Sequence, residues 1–411
     1  MKSLLFWQVL FLNVFLVSCN QPGRDMRLEL VQTVSILFLC SYFGETMKKS
    51  NLIKLFWCVQ LFRHGERTVI PAEFMILDYA GKEAYEPYGF GQLTNNGKRE
   101  EYRIGQMLRQ RYEKFLDKAY VPNHVYAYSS EDDRTKMSLQ LVLAGLYPPS
   151  DELVWNKKLD WIPSSTRYQP KRLDFLMKPY NDTRFWPLWR AALNQSNQQT
   201  VLNERNEFIE FLQRETGKDL KTDVFDLVLL YNALHVNDRL SLPLPDWYKG
   251  NVKRTFRDLY AYLMGSWAST TELKKINGGP LVKTFLKNMN LDNARADSRK
   301  IYLYSGHDYN LMGVRKAHGI NDNEFQEFGS GLLIEKWRDS RDKVFVKLLS
   351  WASPGDNPKT LRLKDCEDFC PVENYIEIIS DSIPTDKEIN ERFKDYRVEI
   401  QEFLLGEYDE G

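Results

Sequence analysis

Residues Lys54 to Phe62 read KLFWCVQLF, apolar on both alternating faces. A strand with one wet face alternates apolar and polar side chains. A run apolar on both faces has to be covered twice, which is the condition of a central strand in a parallel sheet flanked by helices. Further elements fit around it. From Lys98 to Phe115, the residues Ile104, Leu108, Tyr112 and Phe115 recur at helical spacing, with Thr94 upstream as the N-cap. His124 to Ser129 is predicted as a short strand, and Asp132 to Leu146 as a helix with Met137, Leu141 and Ala144 on one face. Lys300 to Tyr304 is a further strand, followed by a helix from Tyr309 to Ala317 that stops at Gly319. Gly331 to Trp337 and Lys343 to Trp351 are strands joined by the charged turn Arg338 to Asp342. Between these alternating ends, Val201 to Gln213, Val224 to His235 and Val252 to Trp267 read as amphipathic helices with no strand among them.

The fold class that fits is α/β, a Rossmann-like sheet core with helices on both faces and a smaller inserted α-helical domain. The expected boundaries are a signal or leader region over 1–47 and the first part of the core over 48–165. A mainly helical insertion follows over 166–297, then the second part of the core over 298–385 and a tail over 386–411.

Three strand ends carry unusual chemistry. Just past the first strand, Arg63-His64-Gly65-Glu66-Arg67-Thr68 sets an imidazole between two guanidinium groups, where ligand crevices open in α/β sheets. Two fixed cations favour a deprotonated ring, which suits a nucleophile, and their donors suit an anionic substrate. Gly65 would let the backbone approach the bound group. The second strand leads into Ser129-Ser130-Glu131-Asp132-Asp133-Arg134, which places Arg134 in a first helical turn whose free amides also favour an anion. The third is Tyr304-Ser305-Gly306-His307-Asp308, with a second imidazole and one carboxyl group. Singly, each has a bland reading as a surface turn or an ion-pair cluster. Three strand ends bearing Arg-His-Arg, Arg and His-Asp are better explained by one compact cationic pocket with an acid beside it.

The charge balance sharpens this. With 56 Lys and Arg against 56 Asp and Glu the formal net charge is zero, so the basic excess of a nucleic-acid binder is missing. Five histidines and five cysteines, with no HExxH and no paired cysteine ligands, disfavour a metal module, and no metal or other cofactor is expected. At the N-terminus, an apolar run from Leu4 to Val17 follows Lys2, and a second lies within Leu28 to Phe43 after Met26 and Arg27. One export signal with an upstream extension accounts for both; LVSC ending at Cys19 also fits a lipoprotein cleavage pattern. No run of about twenty apolar residues occurs later, so no membrane anchor is expected after signal removal. Export changes how the cysteines read: Cys19 and Cys40 lie in the leader, Cys366 and Cys370 are close enough for a small-loop disulfide, and Cys58 reads as an inert buried thiol. The sequons at Asn181 and Asn194 permit glycosylation.

Arg63 to Thr68, the Asp133-Arg134 pair and the His307-Asp308 pair, in this order and spacing, resemble the histidine acid phosphatase family over roughly residues 52–380. Gly91 to Thr94 with Gly97, Asp133 to Ser138, Ala144 to Pro149 and Cys366 to Pro371 are similar to its eukaryotic lysosomal and secreted branch, with most similarity to insect venom acid phosphatase-like proteins. The combination is specific; RHG alone also occurs in phosphoglycerate mutases. The resemblance implies the histidine phosphatase fold and hydrolysis of phosphate monoesters, on small molecules or phosphoproteins, in a secreted or lysosomal product. It implies His64 as the nucleophile that forms a phosphohistidine, Arg63, Arg67, Arg134 and His307 as phosphate ligands, and Asp308 as the proton donor. A homodimer, a phytase-like specificity for inositol phosphates, and a catalytically weak secreted binding or venom protein are the alternatives left open. Three positions depart from the family pattern: Val69 where a proline is usual, Tyr128 where arginine is frequent, and Tyr309-Asn310 in place of small polar residues. His124, His235 and His318 read as structural, and the loop carrying Tyr85, Tyr88 and Phe90 is expected to shape the pocket mouth.

Overall fold

A computed structural model of the chain describes residues 53–291 and 297–392. The leader expected over 1–47, with Cys19 and Cys40, and the tail beyond Arg392 lie outside the described residues. Seven strands form one sheet: β1 (Lys54–Arg63), β2 (Val125–Ser129), β3 (Ile301–Gly306), β4 (Gly331–Arg338), β5 (Val344–Trp351), β6 (Lys359–Leu361) and β7 (Cys370–Pro371). Their order is β2-β3-β1-β4-β5-β6, with β7 also paired to β5. β1 is central, as its composition requires. Its two neighbours run in different senses, β3 parallel and β4 antiparallel, so the sheet is mixed rather than parallel. An apolar run on both faces reports double coverage; it carries no information on the direction of the adjacent strand.

The double coverage is explicit in the packing. Trp57, Val59 and Leu61 join Leu281, Phe285, Leu311, Val314 and Ile379 in one core. Cys58 and Phe62 point the other way, against Ile104, Leu108, Leu139 and Val142. Burying a Val, Leu or Phe side chain stabilises by roughly 1.5–3 kcal/mol, so the apolar residues of β1 from Trp57 onward contribute to one layer or the other, while Phe56 near its start is exposed. The burial that explains Cys58 also pushes its thiol up out of the reactive range.

The helices are α1 (Pro71–Ile76), α2 (Asn95–Arg111), α3 (Asp133–Leu146), α4 (Phe185–Leu193), α5 (Ser196–Glu204), α6 (Asn206–Thr216), α7 (Phe225–Arg239), α8 (Gly250–Ser266), α9 (Thr271–Ile276), α10 (Gly279–Met289), α11 (Asp308–Ala317), α12 (Val372–Ile379) and α13 (Asp386–Arg392). Thr94 caps α2 as expected, its hydroxyl accepting from the Gly97 amide at 3.0 Å. That helix ends at Arg111, four residues before Phe115. The helix expected over Val201 to Gln213 is two, α5 and α6, because Arg205 between them sits at φ −98°, ψ 2°. Apolar periodicity survives such a one-residue break, so the pattern alone cannot show it. Helices α4 to α8 gather Phe185, Trp189, Leu227, Tyr231, Phe256 and Leu263 into a second core. The Cys366–Cys370 disulfide is formed, with Cα atoms 5.1 Å apart.

Candidate active site

Parallel pairing brings the predicted residues together. In register, Arg63 of β1 faces Gly306 of β3, and Ser129 of β2 faces Ser305. The three strands therefore end at one level, and His64, Ser130 and His307 leave the same edge of the sheet. Backbone bonds hold the exits: the His64 amide donates to the Gly306 carbonyl at 3.0 Å and the Ser130 amide to the Ser305 carbonyl at 3.2 Å. Gly65 also has a packing role. A Cβ there would lie 2.6 Å from the Gly97 carbonyl oxygen, and one on Gly97 would lie 2.1 Å from the Glu66 carbonyl oxygen. The two glycines let the loop after β1 press onto the start of α2. Glu66 braces the same contact, accepting from Thr94 Oγ1 at 2.7 Å and from Arg239 Nε of α7 at 3.0 Å.

His64 is 2% exposed, and its Nδ1 lies 2.9 Å from the Gly65 carbonyl oxygen. A carbonyl only accepts, so Nδ1 carries the proton and Nε2 keeps its lone pair. Burial first, and then the charges of Arg134 and its neighbours, lower the basicity of this imidazole well below the ordinary histidine range. The ring is therefore held neutral, with its Nε2 lone pair free. Arg63 stacks its guanidinium 4.1 Å over the Phe328 ring, donates to the Gln326 carbonyl at 2.6 Å and pairs with Asp308 at 2.9 Å. Arg67 is held by a bidentate pair with buried Glu73 of α1, both bonds 2.6 Å long. The Nε atoms of Arg63, Arg67 and Arg134 are buried without a protein partner, leaving donors for an anion.

At the second strand end the two aspartates face different ways. The exposed Asp133 pairs only with Lys136 at 3.3 Å and Gln92 at 3.4 Å among the contacts of its carboxylate. The carboxylate that faces the site is Asp132, 3.6 Å from Arg134 and 3.1 Å from His307 Nε2. Although burial opposes it, contact with His307, Arg134 and Lys178 holds the Asp132 carboxyl well below the usual carboxylate range. The ring of His307 lies 5.4 Å from that of His64, edge to face. Burial, and then the charge of Lys178, bring its imidazole down to about 3.

Asp308 is 7% exposed and opens α11. It accepts from Tyr260 of α8 at 2.6 Å and from its neighbour's amide, Tyr309 N, at 2.8 Å. Burial would raise its carboxyl, but the Arg63 charge and the Tyr260 hydrogen bond outweigh that and pull it below the ordinary value. The carboxyl thus stays ionised to lower pH than a free one. Tyr309 lines the cleft, stacked 4.9 Å from His307 and 5.3 Å from Trp267, while Asn310 accepts from the His307 amide at 3.0 Å. Val69 and Tyr128 are buried. All three departures are absorbed by packing and leave the charges in place.

Arg63, His64, Arg67, Arg134, His307 and Asp308 floor a cleft of about 100 Å³ whose walls are Phe225, Val228, Leu229 and Asn232 of α7, Tyr260 and Met264 of α8, Trp267 and Tyr309. Sequence reasoning missed Glu73, Lys178, Tyr260 and this wall. Lys178, Tyr260 and the wall have no local signal, since each reaches the site from a segment distant along the chain, whereas Glu73 lies only six residues after Arg67. Tyr85 instead donates to Asn237 at 2.9 Å beneath the surface, and Phe90 lines a neighbouring cleft with Gln92 and Lys171. His235 bonds Glu327 at 3.0 Å, His318 lies 2.9 Å from Tyr375 Oη, and His124 pairs with Asp117 at 2.6 Å. Of the two sequon asparagines, Asn194 is exposed, whereas the Asn181 amide donates to the Lys171 carbonyl at 2.6 Å. Among the described residues no cluster of His, Cys, Asp or Glu could hold a metal ion.

Comparison with known proteins places this arrangement. The family described as the histidine phosphatase superfamily (branch 2) matches residues 54–350. The venom acid phosphatase Acph-1 of Apis mellifera is 34% identical over 376 residues, 89% of this chain and 93% of its own length. The prostatic acid phosphatase of Rattus norvegicus is 30% identical over 372 residues, covering 88% and 96%. The lysosomal acid phosphatase of Bos taurus is 28% identical over 371 residues, covering 89% and 84%. Among solved structures, Hafnia alvei phytase in complex with tartrate superposes with a TM-score of 0.63 at 16% identity, over 81% of this chain and 98% of that one. That likeness is one of fold.

Proposed function

The chain belongs to the histidine phosphatase superfamily, branch 2, and from that premise we propose that it is an acid phosphatase hydrolysing phosphate monoesters through a phosphohistidine on His64. One observation carries the reading: Nδ1 of His64 is committed to the Gly65 carbonyl at 2.9 Å, so its free Nε2 sits among Arg63, Arg67 and Arg134 with Asp308 alongside. Nε2 attacks phosphorus, the bond to the ester oxygen breaks, and that oxygen takes a proton from Asp308. Water then attacks the phosphohistidine, gives its proton to Asp308, and releases phosphate and His64. The three guanidiniums and His307 stabilise charge on the phosphoryl oxygens in both steps.

Because the Asp308 carboxyl is held below its ordinary value, the proton it delivers arrives with the substrate. Phosphate monoesters lose their second proton near about pH 6, so below that the monoanion binds and shares its proton with Asp308. The sign for kcat/KM follows: activity falls at high pH as the substrate loses that proton, and at low pH as Asp308 gains one in the free enzyme. In a Tyr260→Phe variant the carboxylate loses a hydrogen bond and its pKa rises. The acid limb is expected to move up by about one pH unit while the alkaline limb stays. An acid limb that does not move would show that Tyr260 leaves Asp308 unperturbed.

The cleft wall separates substrate classes. Phe225, Val228, Leu229 and Trp267 face the leaving group and add no cation to the three arginines, which favours a single phosphate on an apolar or aromatic alcohol over a polyphosphorylated ring. Purified protein at about pH 5 is expected to turn over a generic aryl phosphate at least about tenfold faster than phytate. No turnover of the aryl ester would refute the enzyme reading, and a preference for phytate would refute the specificity. The names of the relatives point to a secreted or lysosomal product, and among the described residues no helix is long and apolar enough to cross a membrane.

A further inference from the structure

Lys178 lies outside the strand-end motifs, just before Pro179, yet it is 1% exposed and its ammonium reaches the site. Its Nζ is 3.0 Å from His307 Nε2 and 3.5 Å from the Tyr309 hydroxyl, and it donates to Asp132. The same Nε2 is 2.9 Å from Ser130 Oγ and 3.1 Å from Asp132 Oδ2. Two charge assignments compete for this nitrogen. An ammonium has only protons to offer, so a charged Lys178 fills the Nε2 lone pair and leaves the ring proton on Nδ1. A carboxylate has only lone pairs, so Asp132 acting alone would draw a proton onto Nε2 and favour imidazolium.

We propose that Lys178, neutralised by Asp132, is a positioning residue for phosphoryl transfer: its ammonium occupies Nε2 of His307 and fixes that ring as the neutral Nδ1–H tautomer, the form that donates to a phosphoryl oxygen. This rests on the reading of His307 as a phosphate ligand. The groups around the ring come from several elements, Asp132 and Asp308 favouring the charged form and burial, Lys178 and Arg134 outweighing them. Asp132 and Ser130 come from the loop after β2, Arg134 from α3, and Lys178 from the segment before α4. His64 follows β1, and Asp308 and Tyr309 belong to α11. Burial lowers Lys178 only to about 8, and His307 to about 3, so the arrangement persists throughout the acid range. The ion pair adds no net charge to the pocket. It selects which ring nitrogen bears the proton.

The direct test is nitrogen-detected NMR of the imidazoles in the intact wild-type protein, with His307 identified by comparison with a His307→Asn variant. At pH 5 the signal is expected from a neutral ring protonated on Nδ1; an Nε2–H tautomer or an imidazolium would overturn the proposal without any substitution at Lys178. In Lys178→Met, Asp132 is left as the one charged group at Nε2, beside the Ser130 hydroxyl; His307 is expected to titrate at higher pH, and kcat/KM on an aryl phosphate should fall about 10- to 100-fold. The double variant Asp132→Asn/Lys178→Met removes both charges and should recover part of that loss above the new His307 pKa. A merely structural lysine would instead lower the melting temperature and depress activity equally at all pH values, with the tautomer unchanged, which also overturns the proposal. If the tautomer changes in Lys178→Met while kcat/KM does not, the positioning contact is real and the phosphate-ligand role of His307 is what fails.

Discussion

Replacing His64 with alanine is expected to lower kcat on a generic aryl phosphate near pH 5 by at least about 10⁴-fold, the scale on which loss of a covalent nucleophile is felt. The three guanidiniums and His307 remain, so binding should survive and KM should change little. The geometry adds a finer expectation. With Nδ1 of His64 committed to the Gly65 carbonyl at 2.9 Å, phosphate trapped by rapid denaturation during turnover should be found on Nε2. Persistence of most of the turnover in the alanine variant would sink the phosphohistidine mechanism. Label on Nδ1 would leave covalent catalysis intact and refute the tautomer.

The second large effect belongs to Asp308. An Asp308→Asn variant keeps the side-chain volume and an oxygen that can accept from Tyr260, which lies 2.6 Å away in the native site, but it has no proton to give. Hydrolysis of an alkyl phosphate, whose leaving oxygen is strongly basic, should fall about 10²- to 10⁴-fold. A nitrophenyl ester, which departs readily as the anion, should lose far less in the phosphorylation step. Single-turnover rates on the two esters separate that step from water attack, where Asp308 acts as base for both. Equal losses in phosphorylation would count against the general-acid role. Arg63 bears on this result too, because its 2.9 Å pair with Asp308 would be left facing a neutral amide. Asparagine therefore relaxes one of the phosphate-binding cations as well as removing the proton.

How much of this was legible beforehand depends on the range of the interaction that decides each feature. The strand at Lys54 to Phe62 announces itself because double burial is written into nine adjacent residues. The helix after Thr94 does so because its cap and its apolar spacing are both local. The break at Arg205 was invisible, since α5 and α6 keep the same periodicity on either side of it. In the site, His64, Arg134 and His307 were readable because a strand end followed by a loop or helix is a local pattern that places a side chain at a sheet's edge. The sequence does not distinguish Asp132 from Asp133. Adjacent residues at a helix start point in different directions, and which of them turns inward is set by Lys178 and His307.

What the sequence determined alone was the inventory of charge: neutral overall, with cations and two imidazoles placed directly after apolar strands, and hence a sheet-edge pocket for an anion. What only the tertiary structure decided was the protonation state of that inventory. Parallel register of β2, β3 and β1 sets the distances among the imidazoles and guanidiniums, and burial then magnifies every charge at those distances. Tyr260 and Lys178 arrive from remote segments to fix where the protons of Asp308 and His307 reside. Electrostatic energy depends on separation and on exclusion of water, and neither quantity exists until the chain has folded.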